Sequence, residues 1–100
     1  MNKAELVRRV AQKAAVSEEI AERVIHTALG QVITAVADGE LVRILGFGTF
    51  RLARRPAHNG RNPRTGEAIA IPERARATFA PGSSFKQCIR HKELRRRMFG

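Results

Sequence analysis

The 100-residue chain has no tryptophan, no tyrosine and a single cysteine, Cys88. One thiol closes no internal disulfide and, without several histidine partners, builds no zinc site, so nothing here calls for an oxidising compartment. The three histidines, His26, His58 and His91, lack the spacing of a metal cluster or a triad, and the sole aspartate, Asp38, falls at an expected helix end. These residues imply no enzyme chemistry, no cofactor and no small-molecule substrate. Long apolar runs are missing too. A stretch such as Val32-Ile33-Thr34-Ala35-Val36-Ala37 falls far short of the roughly 18 residues that span a bilayer, and the start has no secretory-leader pattern. The expectation is one soluble, cytoplasmic domain covering residues 1–100, with no membrane partner.

What the chain has in abundance is positive charge. Nineteen Lys and Arg face nine Asp and Glu, a formal charge of +10. Residues 1–50 hold six basic and six acidic residues, whereas residues 51–100 hold thirteen and three, so the entire excess lies in the second half. A neutral, apolar half joined to a strongly cationic half suggests a folding platform that presents a polyanion-binding appendage.

The apolar pattern first has a helical period. Asn2 followed by Glu5 reads as an N-cap with its capping box and opens a helix at residues 3–14. Ser17 is a second N-cap. After it Ile20, Val24, Ala28, Val32 and Val36 recur every four residues, flanked by Ile25, Leu29 and Ile33, on a helix of about twenty residues that ends at Asp38-Gly39. Two such helices make a V-shaped hairpin with more apolar surface than one small monomer hides. Residues 1–40 are therefore read as a helical dimerisation base.

Beyond Gly39 the pattern turns to strands. Leu41 to Leu45 and Thr49 to Arg55 flank Gly46-Phe47-Gly48, which marks a turn or close backbone approach. A dinucleotide-binding loop would need a third glycine at position 51, which is Arg51. Residues 41–55 and 73–80 form an expected three-stranded antiparallel sheet. Between them, Pro56 to Pro72 reads as a long hairpin whose tip lies near residues 62–66. Taking position 64 as its centre sets Pro56 against Pro72, where they would interrupt the ladder and permit a bend. With about ten residues per side at roughly 3.3 Å each, this arm reaches on the order of 30 Å. Arg54, Arg55, Arg61, Arg64, Arg74 and Arg76 on and beside it have only Glu67 and Glu73 to offset them, and ribbons of this width enter DNA grooves. Pro81-Gly82-Ser83-Ser84 then reads as a turn with a serine N-cap, opening a C-terminal helix with a basic extension over residues 83–100, the part from His91 on either extending the helix or fraying. Its basic ending, from His91 on, adds phosphate affinity.

Gly46-Phe47-Gly48-Thr49-Phe50, the tip Gly60-Arg61-Asn62-Pro63-Arg64-Thr65-Gly66, and Phe79, Pro81-Gly82 and Lys86 together resemble the bacterial HU and integration host factor family of nucleoid DNA-bending proteins. The resemblance covers residues 1 to about 90. It implies an α+β fold in which an α-helical base, a sheet saddle and long β-ribbon arms form an intertwined dimer. It also implies low-specificity binding to double-stranded DNA through the minor groove, with bending. The tip proline, here Pro63, acts in that family as a wedge between base pairs, a general device of minor-groove architectural proteins. Under the resemblance Arg55, Arg61 and Arg64 match basic arm positions, Asn62 accompanies Pro63 at the tip, and Lys3 and Lys86 match body positions that meet phosphates. His58 stands where a basic arm residue is common, Ser83 where many members have lysine, and Leu29 where an aromatic is frequent. The partners implied are DNA and a second copy of the chain. One subunit of a sequence-selective heterodimer remains the alternative, favoured by Pro81-Gly82 and Gly66-Glu67, whereas Gly48-Thr49-Phe50 fits the HU branch. An RNA-binding role is disfavoured because the five phenylalanines, mostly in apolar contexts, leave no platform for splayed bases.

Overall fold

A computed structural model describes residues 1–100, and its backbone divides into two compact units, Met1–Ala35 and Val36–Gly100. The first holds helix α1 (Lys3–Ala14) and most of α2 (Glu18–Ala37). Both expected caps form: Asn2 Oδ1 accepts from the Glu5 N–H at 2.9 Å, and Ser17 Oγ accepts from Ile20 N–H at 3.1 Å. Ala15 closes α1 at φ 55°, a left-handed position that costs an alanine about 1 kcal/mol and fits a sharp reversal into α2. Val7, Ala11 and Ala21 are buried together, with Val10 and Ile25 packed against them. Much of the apolar surface of α2 stays uncovered all the same: Ile20 is 44%, Val24 59% and Ile33 68% exposed, although Val36 at its far end is buried. The expected surplus of apolar surface is present.

The second unit contains the strands β1 (Val42–Ile44), β2 (Gly48–Arg55), β3 (His58–Arg61), β4 (Ala68–Ile71) and β5 (Arg74–Pro81). An antiparallel sheet has the order β1-β2-β5, and β3 and β4 form a separate two-stranded ribbon. The register never slips: Gly48 lies opposite Pro81, Arg55 opposite Arg74, His58 opposite Ile71 and Arg61 opposite Ala68. Continuing it places Pro56 against Glu73 and Pro72 against Ala57, so the two prolines are offset by one position and do not face each other. The cause is the loop, because Asn62–Glu67 is even in number and its centre falls between Arg64 and Thr65. The prolines still interrupt the ladder, which has no pairing at Pro56-Ala57 or Pro72-Glu73.

Two expectations for the last segment need correction. Gly82, not a serine, occupies the N-cap of α3 (Ser83–Arg90), and His91 in extended conformation separates it from a second helix, α4 (Lys92–Phe99). In one unbroken helix, at 100° per residue, Leu94 and Met98 would lie opposite Phe85, Cys88 and Ile89. The break relieves this conflict and leaves Leu94 half-buried.

Gly82 owes its place to a close approach. Its N–H donates to Phe47 O at 2.8 Å, and the Phe85 N–H donates to Gly46 O at 3.1 Å, in the turn where Gly46 takes φ +81°. A Cβ on Gly82 would lie 2.7 Å from the Gly46 carbonyl carbon, a backbone atom with no room to yield. Gly82→Ala is therefore expected to cost about 1–3 kcal/mol, as overpacking does, read as a lower urea midpoint at fixed protein concentration. Phe47, Phe50, Phe79 and Phe85 meet beside this junction, Phe50 and Phe79 with ring centroids 4.7 Å apart. Phe79 nevertheless stays 39% exposed.

Candidate nucleic-acid interface

Strand alternation sorts the charges of the β2–β5 pair. Arg55 faces Arg74, Ala53 faces Arg76 and Arg51 faces Thr78, all on one face of the sheet, while Phe50, Phe79, Leu52 and Ala77 line the other. Arg43 of β1 is opposite Thr49 and so belongs to the cationic face as well. Sequence reasoning missed Arg43 and Arg51. The period-two alternation Arg51-Ala53-Arg55 was the available signal, and only the register tells which partners share its face. Arg54, by contrast, projects to the opposite face, where its guanidinium lies 3.4 Å from the Glu73 carboxylate. Both ends of that pair are more than half exposed, so solvent screens it strongly.

Arg55, Arg74 and Arg76 have no carboxylate partner. With Ala53, Arg54 and Ala75 they line a concavity of about 490 Å³. On the cationic face the small Ala53, opposite Arg76, leaves room between the guanidinium arms for a convex, anionic object.

The β3–β4 ribbon has no core of its own. Gly60 lies under Ile71, His58 shares their face with its ring Nδ1 3.2 Å from Pro56 O, and Arg61 stands on the other face beside Asn59. The tip is built by hydrogen bonds. Asn62 N–H donates to Glu67 O at 2.8 Å, Gly66 N–H donates to Asn62 O at 2.7 Å, and the Asn62 side chain accepts from the Arg64 N–H at 2.9 Å. Such an Asx turn fixes the backbone on both sides of Pro63, whose ring is exposed at the extremity. Gly66 adopts φ +74°, which a residue with a Cβ would hold only under strain. Arg61 and Arg64 flank the ring, exposed and without carboxylate partners.

The remaining expected contacts lie elsewhere. Lys86 projects from α3, at the end of the β2–β5 ladder opposite Arg55 and Arg74. Lys3 belongs to the helical unit, where its ammonium is 3.2 Å from Glu22 and 3.0 Å from His26 Nδ1. An exposed pair of this kind is worth about 0–1 kcal/mol, little enough for a phosphate to displace.

The residue pattern and the fold both have known counterparts. The family model described as bacterial DNA-binding protein matches residues 1–90. DNA-binding protein HU of Nostoc is 42% identical over 89 residues, covering 89% of this chain and 95% of that protein. HU of Thermotoga maritima is 39% identical over 90 residues, covering 90% of this chain and 100% of the relative. Among solved structures, a cocrystal of Anabaena HU with DNA superposes with a TM-score of 0.74 at 42% identity, covering 89% of this chain and 97% of that one. A solution structure of a mutant of transcription factor 1 covers 99% of this chain and 98% of its own, with a TM-score of 0.63 at 28% identity.

Proposed function

This chain belongs to the bacterial DNA-binding protein family of HU, and from that premise we propose that it is an architectural DNA-binding protein. It binds double-stranded DNA through the minor groove with low sequence preference and bends it, organising the nucleoid in the cytoplasm. The observation that supports this most directly is the cationic sheet face of Arg55, Arg74 and Arg76, without counter-ions, continued by a ribbon that ends in a pre-built proline tip. Guanidinium groups release condensed counterions, which supplies affinity on any sequence. Pro63, inserted at a base step, costs a few kcal/mol of stacking that the bent duplex repays through more contacts. Minor-groove edges distinguish little beyond A·T from G·C, so deformability outweighs sequence.

The working unit is a homodimer. No large side chain is fully buried in the single chain, while Ile20, Val24 and Ile33 of α2, and Phe47 and Phe79 beside the sheet, remain exposed. Apolar area of this extent is stable in water only when covered. Each copy acts as one DNA-binding domain, with residues 1–40 as dimerisation base, 41–55 and 73–80 as saddle, 56–72 as arm and 83–100 as C-terminal helical segment. Lys3, Arg54, His58, Asn62 and Lys86 serve as secondary contacts around Arg55, Arg61, Arg64, Arg74 and Arg76. No helix is long and apolar enough to cross a membrane.

Titration of the purified chain against linear, nicked and four-way DNA at two salt concentrations tests this reading. A salt-independent affinity, or a requirement for one sequence, would refute it. Within the same assay Arg61→Gln is expected to weaken binding equally on every sequence and to flatten the salt slope by about one unit. A loss confined to one sequence would contradict its assignment to phosphate.

A further inference from the structure

Helix α4 lies beyond residue 90, where the family match ends. It is a built element and not a trailing end: Leu94 is half-buried, and Phe99, Lys92 and Arg95 join Phe47, Phe85 and Ile89 around one groove of about 560 Å³. Four of its eight residues, Lys92, Arg95, Arg96 and Arg97, are cationic against the single acid Glu93, and none of the four has a carboxylate partner. Three successive arginines on a short helix repel one another, so the arrangement is favourable chiefly when an external anion neutralises it.

The position of α4 says which part of a duplex it could reach. It packs near Phe47 and Phe85, at the Gly48↔Pro81 end of the ladder and against the aromatic face of the sheet. The guanidinium cluster of Arg55 and Arg74 sits at the other end and on the other face. Seven residue steps at about 3.3 Å amount to roughly 23 Å, or some 7 base pairs at about 3.4 Å each. A duplex that reaches fewer than about 7 base pairs to either side of the cationic face, such as one of about 12 base pairs centred on it, ends before α4. A longer one, carried past the edge of the sheet by a bend, reaches it.

Resting on the DNA-binding reading above, we propose that α4 is a second phosphate-binding element, which engages the duplex outside the segment held by the arm and lengthens the footprint on bent DNA. Its recognition rests on backbone charge, the helix carrying four cationic donors against one acid.

The test uses full-length protein with Lys92, Arg95, Arg96 and Arg97 all replaced by Gln, compared with the parent on a duplex of about 12 base pairs and on one of about 40 base pairs carrying a central nick. On the long duplex the logarithmic salt slope should shrink by up to about 3.6 per protomer, from four lost contacts at roughly 0.9 each, and on the short duplex it should not change. Unchanged binding to the long duplex, including the case where RNA or an acidic protein is lost instead, overturns the proposal. So does an equal loss on both lengths, which would place α4 beside the arm. Failure of the parent protein to bind either duplex would refute the DNA-binding reading itself, a distinguishable result. Should the fourfold variant lose its fold by circular dichroism, the milder Arg96→Gln/Arg97→Gln protein, altered away from the groove, should show about half the shift on the long duplex alone.

Discussion

Pro63→Ala is expected to remove most of the bend that the protein imposes on a duplex while leaving most of its affinity. The turn does not need the ring. Asn62 and Gly66 close the tip through backbone hydrogen bonds, and the Asn62 carboxamide holds the Arg64 N–H, none of which involves a proline atom. Alanine adopts the φ that proline fixes, at a cost of about 0.4–1 kcal/mol through the freer unfolded chain. What disappears is the rigid apolar edge that separates a base step. Arg61 and Arg64 remain beside it and keep their attraction to the backbone phosphates. End-to-end fluorescence transfer across a labelled duplex, or the rate of ring closure, reads the bend independently of affinity. An unchanged bend would mean that the deformation arises from charge neutralisation on the sheet face and that the tip merely tracks the groove.

The complementary change, Arg55→Gln with Arg74→Gln and Arg76→Gln, should do the reverse and weaken binding severely. These three groups share one sheet face without counter-ions, so each is available to displace a condensed cation. Losing three contacts at roughly 0.9 of slope each removes about 2.7 from the logarithmic salt dependence, equivalent to about 500-fold in affinity at 0.1 M salt relative to 1 M, per protomer. The fold should tolerate the change, because all three side chains are exposed and glutamine retains most of the stem. Filter binding or anisotropy across a salt series measures it. Arg54→Gln is the internal control: its side chain is on the opposite face beside Glu73, so its loss should cost far less.

The contrast between Arg54 and Arg55 shows where legibility in the sequence ends. The starts of helices α1 and α2 were legible because Asn2 and Ser17 announce their own hydrogen bonds locally. The arm and its tip were equally legible, since Asn62, Pro63 and Gly66 carry turn geometry in their side chains or lack of one. Alternation along β2 puts Arg54 and Arg55 on opposite faces, but which residues of β5 share each face is a matter of register, and register depends on the number of residues in a loop whose ends only pairing reveals. The same unit of uncertainty displaced Pro56 from Pro72. Neither glycine nor proline marks the division at His91; its one local signal is the jump in apolar phase from Phe85, Cys88 and Ile89 to Leu94 and Met98. The cap at Gly82, by contrast, is dictated by the carbonyl of Gly46, far away in the chain.

The missing rungs at Pro56-Ala57 and Pro72-Glu73 have one more implication. A ribbon joined to its sheet by two strands that share no cross-strand hydrogen bonds behaves as a paddle on a universal joint, yet the unbroken count of residues on both sides forbids it to slide. The tip can therefore tilt to suit grooves of different width and helices of different curvature while every contact keeps its partner. Tolerance of many duplex shapes is thus located at the root of the ribbon, in Pro56, Ala57, Pro72 and Glu73.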